Sequence, residues 1–183
     1  MALLHTPPGD LGSPAAPFSL PGVDGRTWSL SDFSQEAVLV VMFICNHCPY
    51  VQAIEERLIR LARELQPRGA RFVGINSNDT VAYPEDSFDN MKKRAKQKGY
   101  PFLYLLDATQ EVARSYGAVC TPDFFVYDSQ RTLRYRGRLD DSPRNEDAVT
   151  RQEMREAILA LLEGKTVAEP QNPAMGCSMK WKD

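Results

Sequence analysis

Cys45 and Cys48 stand two residues apart in the run VLVVMFICNHCPYVQAIEERL, with His47 before the second and Pro49 after it. Three chemistries use such a pair: metal ligation, a structural disulfide, or a thiol couple that trades electrons with other molecules. Four cysteines in 183 residues are too few for a disulfide scaffold. A zinc set of Cys45, His47, Cys48 and Cys177 has suitable ligand types, and a copper-handling site could use Cys45, Cys48 and the MGCSM segment. Against zinc, adjacent His47 and Cys48 point apart at a helix start, and no second C-x-x-C or H-x-x-H occurs. Thiol exchange needs only what is present, with no metal and no organic cofactor.

Two cysteines at i and i+3 in a first helical turn share one face, and the free N–H groups of that turn favour negative charge. Such settings draw a cysteine pKa from about 8.5 into a range of about 3.5 to 7.5. Cys45, at the exposed end of the turn, is therefore expected to be the nucleophile that forms a mixed disulfide with a partner. Cys48, behind it, is expected to attack Cys45 and release the reduced partner. His47 is expected to offer the thiolate a hydrogen bond or a positive charge, and Asn46 completes the centre. A second group, VCTPDFF, sets Cys120, Thr121 and Pro122 at the edge of an apolar strand. Taken alone, Cys120 reads as an inert buried thiol and the Thr121-Pro122 bond as trans.

The elements around these residues follow from periodicity. Ala37 to Ile44 is a continuous apolar, β-branched run, the pattern of a strand covered on both faces. After Pro49, apolar residues at Val51, Ile54, Leu58, Leu61, Ala62 and Leu65 recur at helical spacing up to about Gly69. The cysteine pair thus lies at a strand-to-helix junction. RFVGIN and FLYLLD read as further strands, and PEDSFDNMKKRAKQKG between them as a charged surface helix. A short helix over 109–116, a hairpin of CTPDFFVYD with TLRYRG, and a final helix from a Thr150/Glu153 capping box to Leu162 complete a β-α-β-α-β order with an antiparallel pair at its end. Asn76, Asn78 and Asp107, near strand ends on the site side, are candidate general bases.

Length suits one domain. Residues 1–16, rich in Pro, Gly and Ser, are expected to form a flexible arm; 17–164 hold the domain, opening with two short strands turned at Asp24-Gly25. Residues 165–183 form a tail expected to pack on it, because Met175, Cys177, Met179 and Trp181 carry apolar area that solvent disfavours. A net charge of -2 gives no excess of positive charge for nucleic acid or an anionic membrane. The opening residues lack the apolar stretch of a signal peptide or membrane span, so a cytoplasmic location is expected.

The strand, then CNHCP, then a helix, followed far downstream by TPDFF, resembles the thioredoxin fold. APFSLPGVDGRTWSLSDF is similar to the N-terminal extension of the AhpC/TSA and TlpA-like redoxins. FICNHCPYVQAI, GINSND, YPEDSFDNM, YRGRLDDS and the MGCSMKWK ending resemble the peroxiredoxin-like thioredoxin-family proteins. The resemblance implies an α/β thioredoxin-like fold, a central mixed sheet flanked by helices with an N-terminal hairpin extension and a C-terminal tail. It makes Cys45 and Cys48 the redox pair and Pro122 a cis-proline facing it, and it sets Thr121 and Cys120 where partner chains are contacted.

The implied function is thiol-disulfide exchange with protein or small-molecule disulfides, fed by an upstream thiol reductant. The alternative is a thiol peroxidase, in which Cys45 or Cys48 becomes a sulfenic acid resolved by its neighbour, Cys120 or Cys177. The sequence departs from the peroxiredoxins, which carry a proline and a Thr or Ser seven and three residues before the reactive cysteine. Here Val41 and Cys45 precede Cys48 at those distances, and Val38 and Met42 precede Cys45. It departs from thioredoxin too, since Ile44 replaces the tryptophan before the pair and the 37–44 strand supplies no buried acid.

Overall fold

Residues 38–43 are apolar without a break because both of their faces are covered. In the computed structural model, which describes residues 3–182, the chain runs β1 (Leu3–His5), β2 (Ser19–Pro21), β3 (Thr27–Ser29), β4 (Val38–Phe43), α1 (Pro49–Leu65), β5 (Ala70–Asn76), α2 (Phe88–Lys98), β6 (Leu103–Leu106), α3 (Glu111–Tyr116), β7 (Cys120–Thr121), β8 (Asp123–Tyr127), β9 (Leu133–Gly137), α4 (Glu153–Leu162) and β10 (Met175–Ser178). β4 is the middle strand of a mixed sheet of order β6-β5-β4-β8-β9, parallel to β5 and antiparallel to β8. Successive side chains leave a strand on opposite faces. Val38, Val40 and Met42 therefore enter one apolar layer with α1 and α4, while Leu39, Val41 and Phe43 enter another with Phe18, Leu20, Phe33 and Tyr116. The second layer is closed by the β2–β3 hairpin, the two short strands expected around Asp24-Gly25, which pairs Ser19 with Ser29.

Two element boundaries change, and one bond follows the resemblance rather than the local trans reading. The CTPDFFVYD run is not one strand: Pro122, with no N–H to give a ladder, separates β7 from β8, and β7 joins a second sheet of order β1-β10-β7. The Thr121-Pro122 bond is cis. Thr150 does not cap α4; its hydroxyl donates to Asp141, and the helix starts after Gln152.

Residues 3–16 do not form a free arm. Few of their side chains pack, but their backbone groups find strand edges, the partners that buried or half-buried N–H and C=O groups require. Leu3–His5 pairs with β10, Thr6 exchanges bonds with Ala174 at 3.0 Å in both directions, and Gly12 and Ala15 donate to Leu133 and Arg131. Met1 and Ala2 of the expected arm, and Asp183 of the tail, lie outside the described residues. The tail from Ala174 to Lys182 follows the domain surface: Met179 donates to Val119, Lys180 donates to Asn78 Oδ1 at 2.9 Å, and Arg114 lies over the Trp181 ring at 4.3 Å.

Asp123, the first residue after Pro122, anchors the start of β8. Its buried carboxylate accepts from Arg136 of β9 at 2.8 Å, yet burial still pushes its pKa up to about 6. Removing one partner of such a pair leaves the other charge buried and unpaired. Asp123→Ala is expected to cost about 3–5 kcal/mol in urea unfolding, and Asp123→Leu with Arg136→Met to recover most of it. A single-variant cost below about 1 kcal/mol would show that the pair does not anchor this strand.

Candidate active site

Cys48 is followed by proline, and the residue before a proline is pushed out of the helical region. Cys48 accordingly has an extended backbone (ψ 120°) and caps α1, whose first residue is Pro49. The two cysteines therefore do not share a first helical turn. Cys45 sits four residues before the helix, just past the end of β4, and it is not exposed: Cys45 is 1% and Cys48 0% accessible.

Both sulfurs nonetheless meet at one residue. Cys48 Sγ is 3.1 Å from the Thr121 carbonyl and Cys45 Sγ is 3.5 Å from the Thr121 hydroxyl. The site is therefore built by the β4–α1 junction on one side and β7 with cis-Pro122 on the other. Asn46 is held rather than free: its backbone N–H donates to Asp86 at 2.7 Å, its amide donates to Glu85, and it accepts from the Tyr104 hydroxyl at 3.0 Å.

His47 does not hydrogen-bond a sulfur. Its Nδ1 donates to Asp86 Oδ2 at 2.6 Å, its ring stacks on Tyr83, and its Nε2 has no partner. Asp86, at 0% accessibility, is the residue that sequence reading misses. The segment YPEDSFDNM reads as the start of a charged surface helix, whereas Pro84–Asp86 forms a separate short turn that points the carboxylate inward. The candidate bases Asn76 and Asn78 serve it: Asn76 donates to its carbonyl and Asn78 to its carboxylate, at 2.9 and 2.8 Å. Asp107 is elsewhere, bonded to Ser77 and the Ala113 N–H.

These contacts divide the charges. The Cys48 thiolate accepts from the Cys45 thiol, which outweighs burial, and further from Cys177, Thr121 and the Val51 N–H, lowering its pKa to about 4. The Cys45 thiol is held well above its usual range by donating to Cys48, by burial and by the neighbouring Asp86 charge. Ionisation of Cys48 gives up one bond to the Thr121 carbonyl and gains those donors. The pair thus loses one proton easily and keeps the other. The surroundings favour the charge on Cys48, where the expectation set it on Cys45, because the donors gather at Cys48 and a carboxylate lies beside Cys45.

Cys177 of β10 is opposite Thr121 in the β10–β7 ladder and in the apolar cluster of Cys45 and Cys48. Cys120 is not brought to the pair; its sulfur lies 3.7 Å from the Pro122 carbonyl, and burial pushes its pKa upward. Among the described residues, the group whose ligand atoms could meet at a metal is Cys45, His47 and Asp86, with those atoms within 4.8 Å of one another. The His47–Asp86 bond already occupies one ligand atom of each, and a zinc site wants four ligands. No helix among the described residues is long and apolar enough to cross a membrane.

A family model described as the AhpC/TSA family matches residues 11–136. An uncharacterized conserved protein from Geobacillus kaustophilus is 51% identical with a TM-score of 0.95, over 100% of this chain and 97% of that one. A hypothetical protein from Sinorhizobium meliloti 1021 is 43% identical with a TM-score of 0.93, over 97% and 98%. A thiol:disulfide interchange protein of the thioredoxin family from Chlorobium tepidum TLS matches at 22% identity and a TM-score of 0.64, over 82% and 97%, and shares the thioredoxin-like fold. No curated protein matches the chain.

The His47–Asp86 bond raises the histidine pKa against the cost of burial, and with Asn78 and the Asn46 N–H it keeps the carboxylate low despite burial. A raised histidine stabilises the fold below its free pKa of about 6.5 and loses that contribution as pH climbs past its folded value. A lowered aspartate stabilises above about 3.9 and loses it as pH falls. The pair should therefore contribute most between about pH 4 and 6.5. Asp86→Asn should move the His47 midpoint down in an NMR titration and flatten the stability difference across that window; an unmoved midpoint would mean that the carboxylate does not set the imidazole charge.

Proposed function

The chain belongs to the AhpC/TSA family, and on that premise we propose that it is a thiol-disulfide oxidoreductase working through Cys45 and Cys48. The family and its neighbours support thiol-based redox chemistry in general. The observation that carries the finer reading is the convergence of both sulfurs on Thr121, beside cis-Pro122, with one of them acidic.

In this reading Cys48 attacks when its cover opens, since its sulfur is buried while the tail is seated. A thiolate with a lowered pKa is present at neutral pH and is also a good leaving group. It forms a mixed disulfide with the partner. Cys45 gives up its proton and attacks Cys48, so that the Cys45–Cys48 disulfide forms and the partner departs as a thiol. His47 and Asp86 hold the loop between the two cysteines, and the Asp86 charge keeps the proton on Cys45 until the mixed disulfide has removed the Cys48 charge. An upstream thiol reductant restores the dithiol, in keeping with a reducing, cytoplasmic setting.

Thiolate absorbance at 240 nm tests the order of the sulfurs without requiring reagent access. The reduced protein should titrate with a midpoint near 4; the low midpoint should vanish in Cys48→Ser and persist in Cys45→Ser. Reduction of a disulfide substrate should fall to the uncatalysed level in Cys48→Ser, while Cys45→Ser combined with Cys177→Ser, which leaves Cys48 as the one thiol of that apolar cluster, should accumulate the mixed disulfide. A midpoint near the free-cysteine value of about 8.5 would overturn the assignment. Rapid consumption of hydrogen peroxide with supplied dithiol, and none of disulfides, would move the reading to peroxidase.

A further inference from the structure

Cys48 is fully covered, so an external disulfide cannot touch its sulfur while the tail is seated. Part of that cover is a cysteine. Cys177 stands opposite Thr121 on the antiparallel β10–β7 ladder. Residues in register on such strands have Cα atoms about 4.5–5.5 Å apart and side chains on one face. Thr121 is the residue whose carbonyl and hydroxyl meet Cys48 and Cys45, so the third sulfur is brought to the same side, in the same apolar cluster as the pair.

The seat is shaped for this approach. A Cβ on Gly176 would stand 2.0 Å from the Thr121 carbonyl oxygen, so only glycine lets β10 lie this near, and β1 closes its other edge. Cys120 shows the contrast. It precedes Thr121 in β7, faces the other side by strand alternation, and its sulfur lies 3.7 Å from the Pro122 carbonyl. A cysteine-bearing strand laid against the residue before Pro122 has the form of a bound disulfide partner that is part of the same chain.

Resting on the thiol-pair reading above, we propose that Cys177 is a third redox thiol, the internal exchange partner of the Cys45–Cys48 disulfide. Cys177 loses its proton to solvent and its sulfur attacks Cys48 Sγ. The Cys48–Cys177 bond forms, the Cys45–Cys48 bond breaks, and Cys45 leaves as a thiolate that takes up a proton. One disulfide replaces another with no net oxidation. Cys177, at 5% accessibility, lies nearer the surface than either pair member. An external thiol attacking Cys177 forms a mixed disulfide there and releases Cys48 as its stable thiolate; a second external thiol then attacks the mixed disulfide, departs as the external disulfide and leaves the protein fully reduced. Burial holds the Cys177 thiol up to about 11, so the internal step should quicken with rising pH through neutrality.

The test is peptide mapping after oxidation with oxidised glutathione and blocking of free thiols. Wild type should hold the Cys45–Cys48 disulfide; its absence would sink the thiol-pair reading itself. Cys45→Ser should hold a Cys48–Cys177 disulfide. If Cys48 there stays glutathionylated or pairs with Cys120, the Cys177 proposal falls while the thiol-pair reading stands. Reduction of the oxidised protein by glutathione should slow about tenfold or more in Cys177→Ser, and an unchanged rate would overturn the proposal. Gly176→Ala in the Cys45→Ser background keeps the thiol but forces β10 off Thr121. It should lower the yield of the Cys48–Cys177 bridge; an undiminished yield would show that the seat of β10 does not direct the exchange.

Discussion

A carboxylate removed from water is among the most costly groups a fold can hold unless every lone pair is met. Asp86 meets that demand with the backbone N–H groups of Asn46 and His47, the His47 ring and the Asn78 amide. Those four donors come from the loop between the two cysteines and from the end of β5. Satisfying one buried charge therefore fixes the loop that carries the thiols. The same Asn78 accepts from the Lys180 N–H with its other amide atom, so the tail is registered by the network that orders the site. Packing of β4 and α1 brings the cysteines to the sheet edge, but the carboxylate decides how the residues between them lie.

Charge placement follows from that arrangement together with Pro49. The proline starts the helix one residue after Cys48 and leaves Cys45 outside it. The helix N-terminus and the surrounding donors then favour negative charge on Cys48, while Asp86 disfavours it on Cys45. Two chemically identical side chains three residues apart become an easily ionised sulfur and a reluctant one. Burial of both in an apolar cluster strengthens the contrast, since charges in such surroundings are weakly screened.

The second sheet gives β7 two duties. Thr121 presents its carbonyl and hydroxyl to the sulfurs while its strand edge receives β10. A two-residue strand would be marginal alone; here it is held between the cis-Pro122 turn, anchored by the Asp123–Arg136 pair, and a tail strand backed by β1. The ends of the chain and its centre are thus one structure, and the tail belongs to the site's covering layer.

Much was legible in the residues themselves. The unbroken apolar run of β4 marked a strand buried on two faces, the three- and four-residue spacing after Pro49 marked α1, and C-x-x-C at their junction marked the candidate reacting atoms. Local pattern carries that information because strand and helix periodicity, and the sulfur chemistry, belong to neighbouring residues. Asp86 could not be read in the same way. Its meaning depends on a carboxylate thirty-nine residues from His47 being turned inward by a short helical turn, and in sequence it looks like any acidic residue on a charged helix. The strand role of Leu3–His5 was hidden likewise, because it rests on backbone hydrogen bonds to β10, near the far end of the chain, and backbone groups are the same in every residue. Which cysteine the surroundings favour as thiolate, and that Cys177 rather than Cys120 shares the apolar cluster of the pair, depend on tertiary structure: both turn on which face of β7 a sulfur approaches and on the charges packed beside it.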